Sequence, residues 1–408
     1  MLTAPKKKPN SKSKDKKSAY FDHAAGTYLS NQALAAMMPF FNKDFGNPSS
    51  LHSEGKKAEM GLKDSRRMAA DLIGALPENI VFTSGGTESD NLAIYGIAKA
   101  HEKHGKHIIS SPIEHHAVIN SLEDLKKQGW EITYVQPDSK GFIKIGDIVK
   151  AIRPDTVLIS LAYANNEIGT IYPIPEIGKQ ILQYRKTNNT IYPFFHTDAC
   201  QAAGYLDLDV EKLHVDLMAI SGSKIYGPKG VGMLYVRRGV TIKPQIMGGD
   251  QERGARSGTE NTPGIAGLVK ALELAQKNRE KESARLEVLL KYLWEKIHKL
   301  IPDIRLNGPE IGPQRLPNNL NISFLDTEGE ALLLYLDEYG IMCSTGSACA
   351  ARTLEPSHVL KALGIPAVEA RGAARFSLGM RNTKKDIDYL MKYLPATVKK
   401  LREISRMN

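Results

Sequence analysis

The chain has 408 residues, 42% of them hydrophobic and 25% charged, proportions ordinary for a water-exposed globular protein. That length exceeds what one hydrophobic core usually serves, so two domains are expected, and no apolar run approaches the ~18 residues needed to cross a bilayer. The net charge of +10 is unevenly spread: seven lysines against Asp15 in the first eighteen residues supply +6 of it.

Lys6, Lys7, Lys8, Lys12, Lys14, Lys16 and Lys17 alternate with Ser, Pro and Asn, a composition that cannot bury enough apolar surface to order itself. Residues 1–18 therefore read as a disordered tail, with no specific nucleic-acid binding expected. The tail has neither the apolar stretch of a secretory signal nor the Arg and Ser pattern of a transit peptide, which makes a cytoplasmic location the expectation. Three cysteines, Cys200, Cys343 and Cys349, are too few for a disulfide scaffold and fit a reducing compartment.

From Lys56 to Asp216 helical patterns alternate with short β-branched runs, the signature of βαβ units around a largely parallel sheet. Strands are expected over Asn79–Phe82, His107–Ser110, Thr156–Ala162, Thr190–Phe195 and Val215–Ile220. A sixth, Val231–Val236, follows the fifth too soon for a helical crossover, so this pair should be antiparallel and the sheet mixed. Leu286, Leu289, Leu290, Leu293, Trp294, Ile297 and Leu300 then recur at helical spacing until Pro302. Beyond it the pattern gives a strand near Leu320–Phe324, a helix near Glu328–Glu338, a strand at Ile341, a loop, a helix over His358–Leu363, a strand over Ala373–Leu378 and a last helix from Lys384. That second half reads as a separate α+β domain.

In open α/β sheets ligands lie outside the carboxyl ends of the strands, and these ends are polar one after another. The first runs Thr83-Ser84-Gly85-Gly86-Thr87-Glu88 into a helix; its glycines admit close approach and its free amides suit a phosphate, although a plain turn with an N-cap explains them as well. Glu114-His115-His116 follows the second strand, either as a turn at a helix start or as an imidazole facing the crevice. The third ends in Asn165-Asn166-Glu167-Ile168-Gly169. In His196-Thr197-Asp198-Ala199-Cys200-Gln201, Asp198 either caps a helix or pairs with a cation. The fifth ends in Ser221-Gly222-Ser223-Lys224. A phosphate for Gly86, Thr87 and Ser221, a protonated ring nitrogen for Asp198 and an aldehyde for Lys224 describe a single ligand, pyridoxal 5′-phosphate, whose electron-sink chemistry needs the cationic ring nitrogen. A primary amine forms the Schiff base. His115 is placed to stack on the ring and move protons.

These strings, with Tyr20-Phe21-Asp22, Gly46-Asn47-Pro48-Ser49-Ser50, Lys224-Ile225-Tyr226-Gly227-Pro228-Lys229-Gly230, Arg253-Gly254-Ala255-Arg256-Ser257-Gly258-Thr259 and Gly346-Ser347-Ala348-Cys349, resemble the cysteine desulfurases of aminotransferase fold type I, in order and from Ala19 onward. The resemblance implies an α/β fold with a large domain over residues 30–270 and a small α+β domain from residues 19–29 and 271–408. It implies that Lys224 carries the Schiff base, Asp198 pairs with the ring nitrogen, Gln201 and Asn166 contact the ring hydroxyl, and His115 stacks on the ring. Gly86, Thr87, Ser221 and Ser223 would hold the phosphate, with Thr259 reaching it from the other subunit of a homodimer. Arg375, helped by Asn166, would take the substrate carboxylate, a task suited to a planar guanidinium.

Cys349, in the Gly-, Ser- and Ala-rich stretch 344–351, would attack the sulfur of L-cysteine, leaving L-alanine and an enzyme persulfide. Such composition favours a mobile loop, and the stretch resembles that of the long-loop group, which hands sulfur to an iron–sulfur scaffold protein or a tRNA-thiolation enzyme. No resident metal is implied, Cys349 being open to transient iron–sulfur ligation; Cys200 and Cys343 read as small buried hydrophobes. Two departures stand out. Ser223 occupies the position before the lysine where the family usually has histidine, and Gly26 stands where a threonine would commonly precede Thr27. The alternatives are another enzyme of this cofactor and fold, such as a selenocysteine lyase or an aminotransferase, and a non-catalytic scaffold.

Overall fold

The computed structural model describes residues 17–346 and 357–405. Its strands are β1 (Ala19–Tyr20), β2 (Ile80–Thr83), β3 (His107–Ser110), β4 (Glu131–Tyr134), β5 (Thr156–Ala162), β6 (Phe194–Asp198), β7 (Leu217–Ser221), β8 (Gly232–Val236), β9 (Ile304–Asn307), β10 (Asn319–Phe324), β11 (Ile341–Met342) and β12 (Ala373–Ser377). Seven of them form one sheet in the order β2-β8-β7-β6-β5-β3-β4. β3 to β7 run parallel, and β8 is antiparallel to both its neighbours. The short β7–β8 connection thus produces the reversal expected from its length, in the register Leu217↔Val236 to Ser221↔Gly232.

Helices cover both faces of this sheet, so β5 is buried along its whole length and shows no polar alternation. The helix Gly86–His101 buries Leu92, Ala93, Ile94 and Ile97 against β5, β7 and β8. Because β2, β3, β5, β6 and β7 point the same way, their carboxyl ends collect at one edge. A second body is built on the antiparallel sheet β12-β10-β9, and β1 joins β11 in a parallel pair beside it.

The helix Thr262–Leu300 connects the two bodies. At 1.5 Å per residue it is about 59 Å long, and its two halves face different cores. Ile265, Leu268, Val269 and Leu272 pack with the large sheet. Leu286, Leu289, Leu290, Leu293 and Ile297 pack with Leu320, Ile322, Phe324 and Phe376 of β10 and β12. No helix among the described residues is long and apolar enough to cross a membrane.

Several boundaries differ from those read in the sequence. β6 starts at Phe194 rather than Thr190, because Pro193 has no N–H for the ladder. β7 starts two residues later than expected, after Asp216 has used its carboxylate on Arg185 and Arg237. β4 and β9 are additional edge strands, each paired on one side and only partly buried. They lack the apolar run by which the central strands were found.

Candidate active site

The shared strand edge encloses a cavity of about 440 Å3, within the ~300–1,000 Å3 range of small-molecule sites. Lys224, Asp198, His115, Gly86, Thr87, Asn166, Gln201, Ser221, Ser223 and Arg375 all line it. The structure therefore brings together ten positions singled out in the sequence, drawn from the ends of five strands and from β12. Thr259 lies apart, in a neighbouring hollow of about 110 Å3 that shares Ser84 and Gly230 with the main cavity. Cys349 falls outside the described residues, as does most of the stretch read as a mobile loop.

Local geometry explains why these side chains converge. Between β2 and the helix Gly86–His101 the chain turns at Gly85, whose φ of 152° is open only to glycine. A side-chain carbon at Gly86 would stand 2.6 Å from Cys200 Sγ, so backbone must serve as the cavity wall there. The helix start beyond it directs unpaired amides and the positive end of its dipole into the cavity. Glu88 closes the turn by accepting from Ser84 N at 2.8 Å, and Arg256 pairs with Glu88 at 2.9 Å.

Lys224 Nζ donates to the carbonyls of Ala24 and Ala25 at 3.0 and 2.7 Å. Burial lowers its basicity, with Arg375 acting in the same direction. Asp198, at the end of the adjacent strand, accepts from Cys200 N at 2.9 Å and so faces the cavity from a fixed position. Ser221 and Ser223 stand with their hydroxyls 3.1 Å apart at the turn after β7.

His115 satisfies both readings of its position. Its Nδ1 accepts from Ala117 N at 3.1 Å as the cap of the helix His116–Lys127, and the ring also lines the cavity. With Nδ1 occupied as an acceptor, the neutral ring carries its proton on Nε2, and burial keeps its pKa below the ordinary histidine value. Behind it Glu114 is fully enclosed and pushed up to about 8 by burial and by the nearby charge of Asp198.

Arg375 is nearly spent within the fold. Nη1 donates to the carbonyls of Asn166 and Gly346 at 2.9 and 2.6 Å, Nη2 pairs with Asp22 at 2.9 Å, and Nε is a buried donor without a partner among the described residues. Gln201 likewise gives its amide to Ala24 O at 3.0 Å. The sequence reading missed Asp90, Glu167, His116 and His358, which also line the cavity. Glu167 stood in a motif already noted, and Asp90 lies one helical turn beyond Gly86; neither position marks itself as inward-facing without the fold.

The chain matches the aminotransferase class-V family over residues 19–390. It is 48% identical to a protein of Clostridium botulinum (strain Hall) named cysteine desulfurase IscS, over 389 residues that span 95% of this chain and 96% of that one. A solved structure described as a NifS-like protein superposes with a TM-score of 0.85 at 36% identity, covering 96% of this chain and all of the other. Another, described as SspA in complex with cysteine, gives 0.76 at 38% identity over 88% of this chain and 99% of its own. The matched family works with pyridoxal 5′-phosphate, and the donor set fits that group: an amine of weakened basicity, a carboxylate on the next strand, helix-start amides behind a glycine wall and a pair of serine hydroxyls. Sequence, architecture and donor set agree that the chain belongs to the cysteine desulfurases, pyridoxal phosphate-dependent members of the class-V aminotransferase family.

Proposed function

We propose that this chain takes sulfur from L-cysteine onto the thiol of Cys349, leaving L-alanine and a persulfide. The observation that carries the residue assignment is the meeting of Lys224, Asp198 and the Gly86–Thr87 turn around one cavity. When bound, pyridoxal phosphate supplies an electron sink for the bonds broken at the amino acid's α- and β-carbons. Asp198 offers its carboxylate to a cationic ring nitrogen, while Gly86, Thr87, Ser221 and Ser223 hold the phosphate. Asn166 and Gln201, which line the same cavity, would contact the ring hydroxyl.

Lys224 would hold the cofactor's aldehyde through its amine and, when free, would take the α-proton; its lowered basicity increases the neutral fraction available for both tasks. His115, whose Nδ1 is occupied by Ala117 N, would lie beside the ring and carry a proton to the substrate sulfur through Nε2. Arg375, which lines the cavity beside Asn166, would orient the substrate carboxylate. The thiolate of Cys349 attacks the substrate sulfur, forming an S–S bond as the C–S bond breaks, and the carbon skeleton takes up a proton to become alanine. A thiol of ordinary pKa is only slightly ionised at neutral pH but intrinsically nucleophilic, so modest activation suffices.

The division into a large body over residues 30–270 and a small one from residues 19–29 and 271–408, a homodimer in which Thr259 reaches the partner's phosphate site, and a cytoplasmic location belong to the same reading. So does onward transfer of the persulfide sulfur to an iron–sulfur scaffold protein or a tRNA-thiolation enzyme. A single turnover with ³⁵S-labelled L-cysteine tests the central step. Label should appear on Cys349 in a one-to-one ratio with alanine, and Cys349→Ala should carry none. Undiminished sulfide release by Cys349→Ala, with no labelled native protein, would overturn it.

A further inference from the structure

A second cavity, of about 470 Å3, adjoins the first, and Gly26 and Lys229 line both. A side-chain carbon built on Gly26 meets nothing within 4 Å, so the space beside this residue is open.

The walls of this second cavity carry a distinct chemistry. Arg381 lies over the ring of Tyr28, its guanidinium carbon 3.6 Å from the ring centroid. No carboxylate pairs with Arg381 or Lys229 among the described residues; Lys229 Nζ has only the carbonyl of Thr27, at 3.4 Å. Asp386 is the one carboxylate on the wall among those residues, and its Oδ2 already accepts from Thr383 N and Oγ1 at 2.8 Å each. His23 is 4% exposed, and its Nδ1 is a buried polar atom without a partner among the described residues. Tyr20 and Tyr28 supply ring surface beside these groups.

A guanidinium covered on one face by an aromatic ring keeps its N–H edge free, and that edge matches a carboxylate with two parallel bonds. The ring surfaces add room for a short carbon chain, which an inorganic oxyanion would leave unused. We propose that this cavity is a second ligand site, taking a small organic carboxylate on Arg381 and Lys229 against the rings of Tyr20 and Tyr28, beside the active-site cavity with which it shares Gly26 and Lys229. The proposal does not depend on the reaction assigned to the neighbouring cavity.

Calorimetric titration of the cofactor-loaded protein with succinate, and separately with inorganic phosphate, tests it. Succinate should bind saturably at one site per chain, at least tenfold more tightly than phosphate. Arg381→Ala should weaken succinate at least tenfold, and Arg381→Lys, which keeps the charge but loses the fork, should fall between. Arg381 is exposed and unpaired, so both variants should fold with the visible cofactor band unchanged, and a failed titration leaves the proposed function standing. Equal succinate affinity in native protein and Arg381→Ala, absence of saturable binding, or phosphate binding as tightly as succinate would each overturn the site.

Discussion

Ser223 and Glu114 show how single side chains set the chemistry of the cavity. A serine at the position before Lys224 holds its hydroxyl 3.1 Å from Ser221, so the proposed phosphate site has a pair of neutral donors there. Losing one neutral hydrogen bond costs about 0.5–1.5 kcal/mol. Ser223→Ala should therefore raise the dissociation constant for pyridoxal phosphate about two- to twelvefold, measured by absorbance titration of cofactor-free protein, with folding stability unchanged. An unaltered constant would remove Ser223 from the phosphate site. Glu114 makes a second case, because burial raises its folded-state pKa to about 8 from an ordinary 4.5. The folded protein then holds a proton that the unfolded chain has lost between those values, so this contribution to stability is complete below pH 4.5 and fades as pH rises towards 8. Glu114→Gln, neutral throughout, should flatten the decline in melting temperature between pH 6 and 8.5; an equally steep decline in the variant would show that Glu114 is not its source. The residues at the strand tips were legible because polar side chains interrupt apolar runs there. The partners of Lys224 were not, since carbonyls of Ala24 and Ala25 have no signature in side-chain sequence.

The strand–turn–helix unit from β2 to His101 places the amides proposed to hold the phosphate, and its precision comes from a neighbouring strand. Gly232, the first residue of β8, lies so close to the turn that a side-chain carbon there would stand 2.7 Å from the Cα and carbonyl carbon of Gly85 and 2.8 Å from Ile220 O. All three are backbone atoms, so nothing rotates aside. Gly232→Ala should destabilise the fold by about 1–3 kcal/mol and also weaken cofactor binding, because the displaced turn carries Gly86 and Thr87. Denaturant melts paired with cofactor titration check this; a stability loss with unchanged cofactor affinity would mean that the turn does not follow β8. At this scale the central strands were legible because burial on both faces gives them continuous apolar runs, β3 and β5 to the residue. β4 and β9 escaped notice because edge strands of four residues, half exposed, need no such run. The pairing of β8 with β2 also lay beyond local pattern, since loop length identifies only the β7 partner.

Over the whole molecule, the active site depends on how the two bodies meet, and they meet at the segment 165–169. Asn319 at the start of β10 donates to Asn166 O at 3.0 Å, Asn321 donates to Glu167 O at 3.1 Å, Leu316 N reaches Gly169 O at 2.7 Å, and Arg375 from β12 shares Asn166 O. The second body therefore holds the very loop that borders the cavity, and it holds Arg375 against that loop. None of this was legible in the sequence. A two-residue strand such as β1 shows no periodicity, although the strand at Ile341 that it pairs with was expected, and asparagines 153 and 154 residues from their acceptors resemble any polar strand ends. In the proposed roles the arrangement separates substrate from cofactor: Lys224, Asp198 and the Gly86 turn belong to the large sheet, whereas Arg375 comes from the small one. Asn319→Ala removes one buried tie at a cost of about 1–3 kcal/mol and lets Arg375 and Asn166 drift against the cofactor site. Its expected signature is a KM for L-cysteine raised about tenfold or less, while cofactor affinity and the visible band stay as in the native protein. Loss of cofactor affinity in step with KM would show instead that both bodies hold the coenzyme, and that the substrate carboxylate is not the small body's particular task.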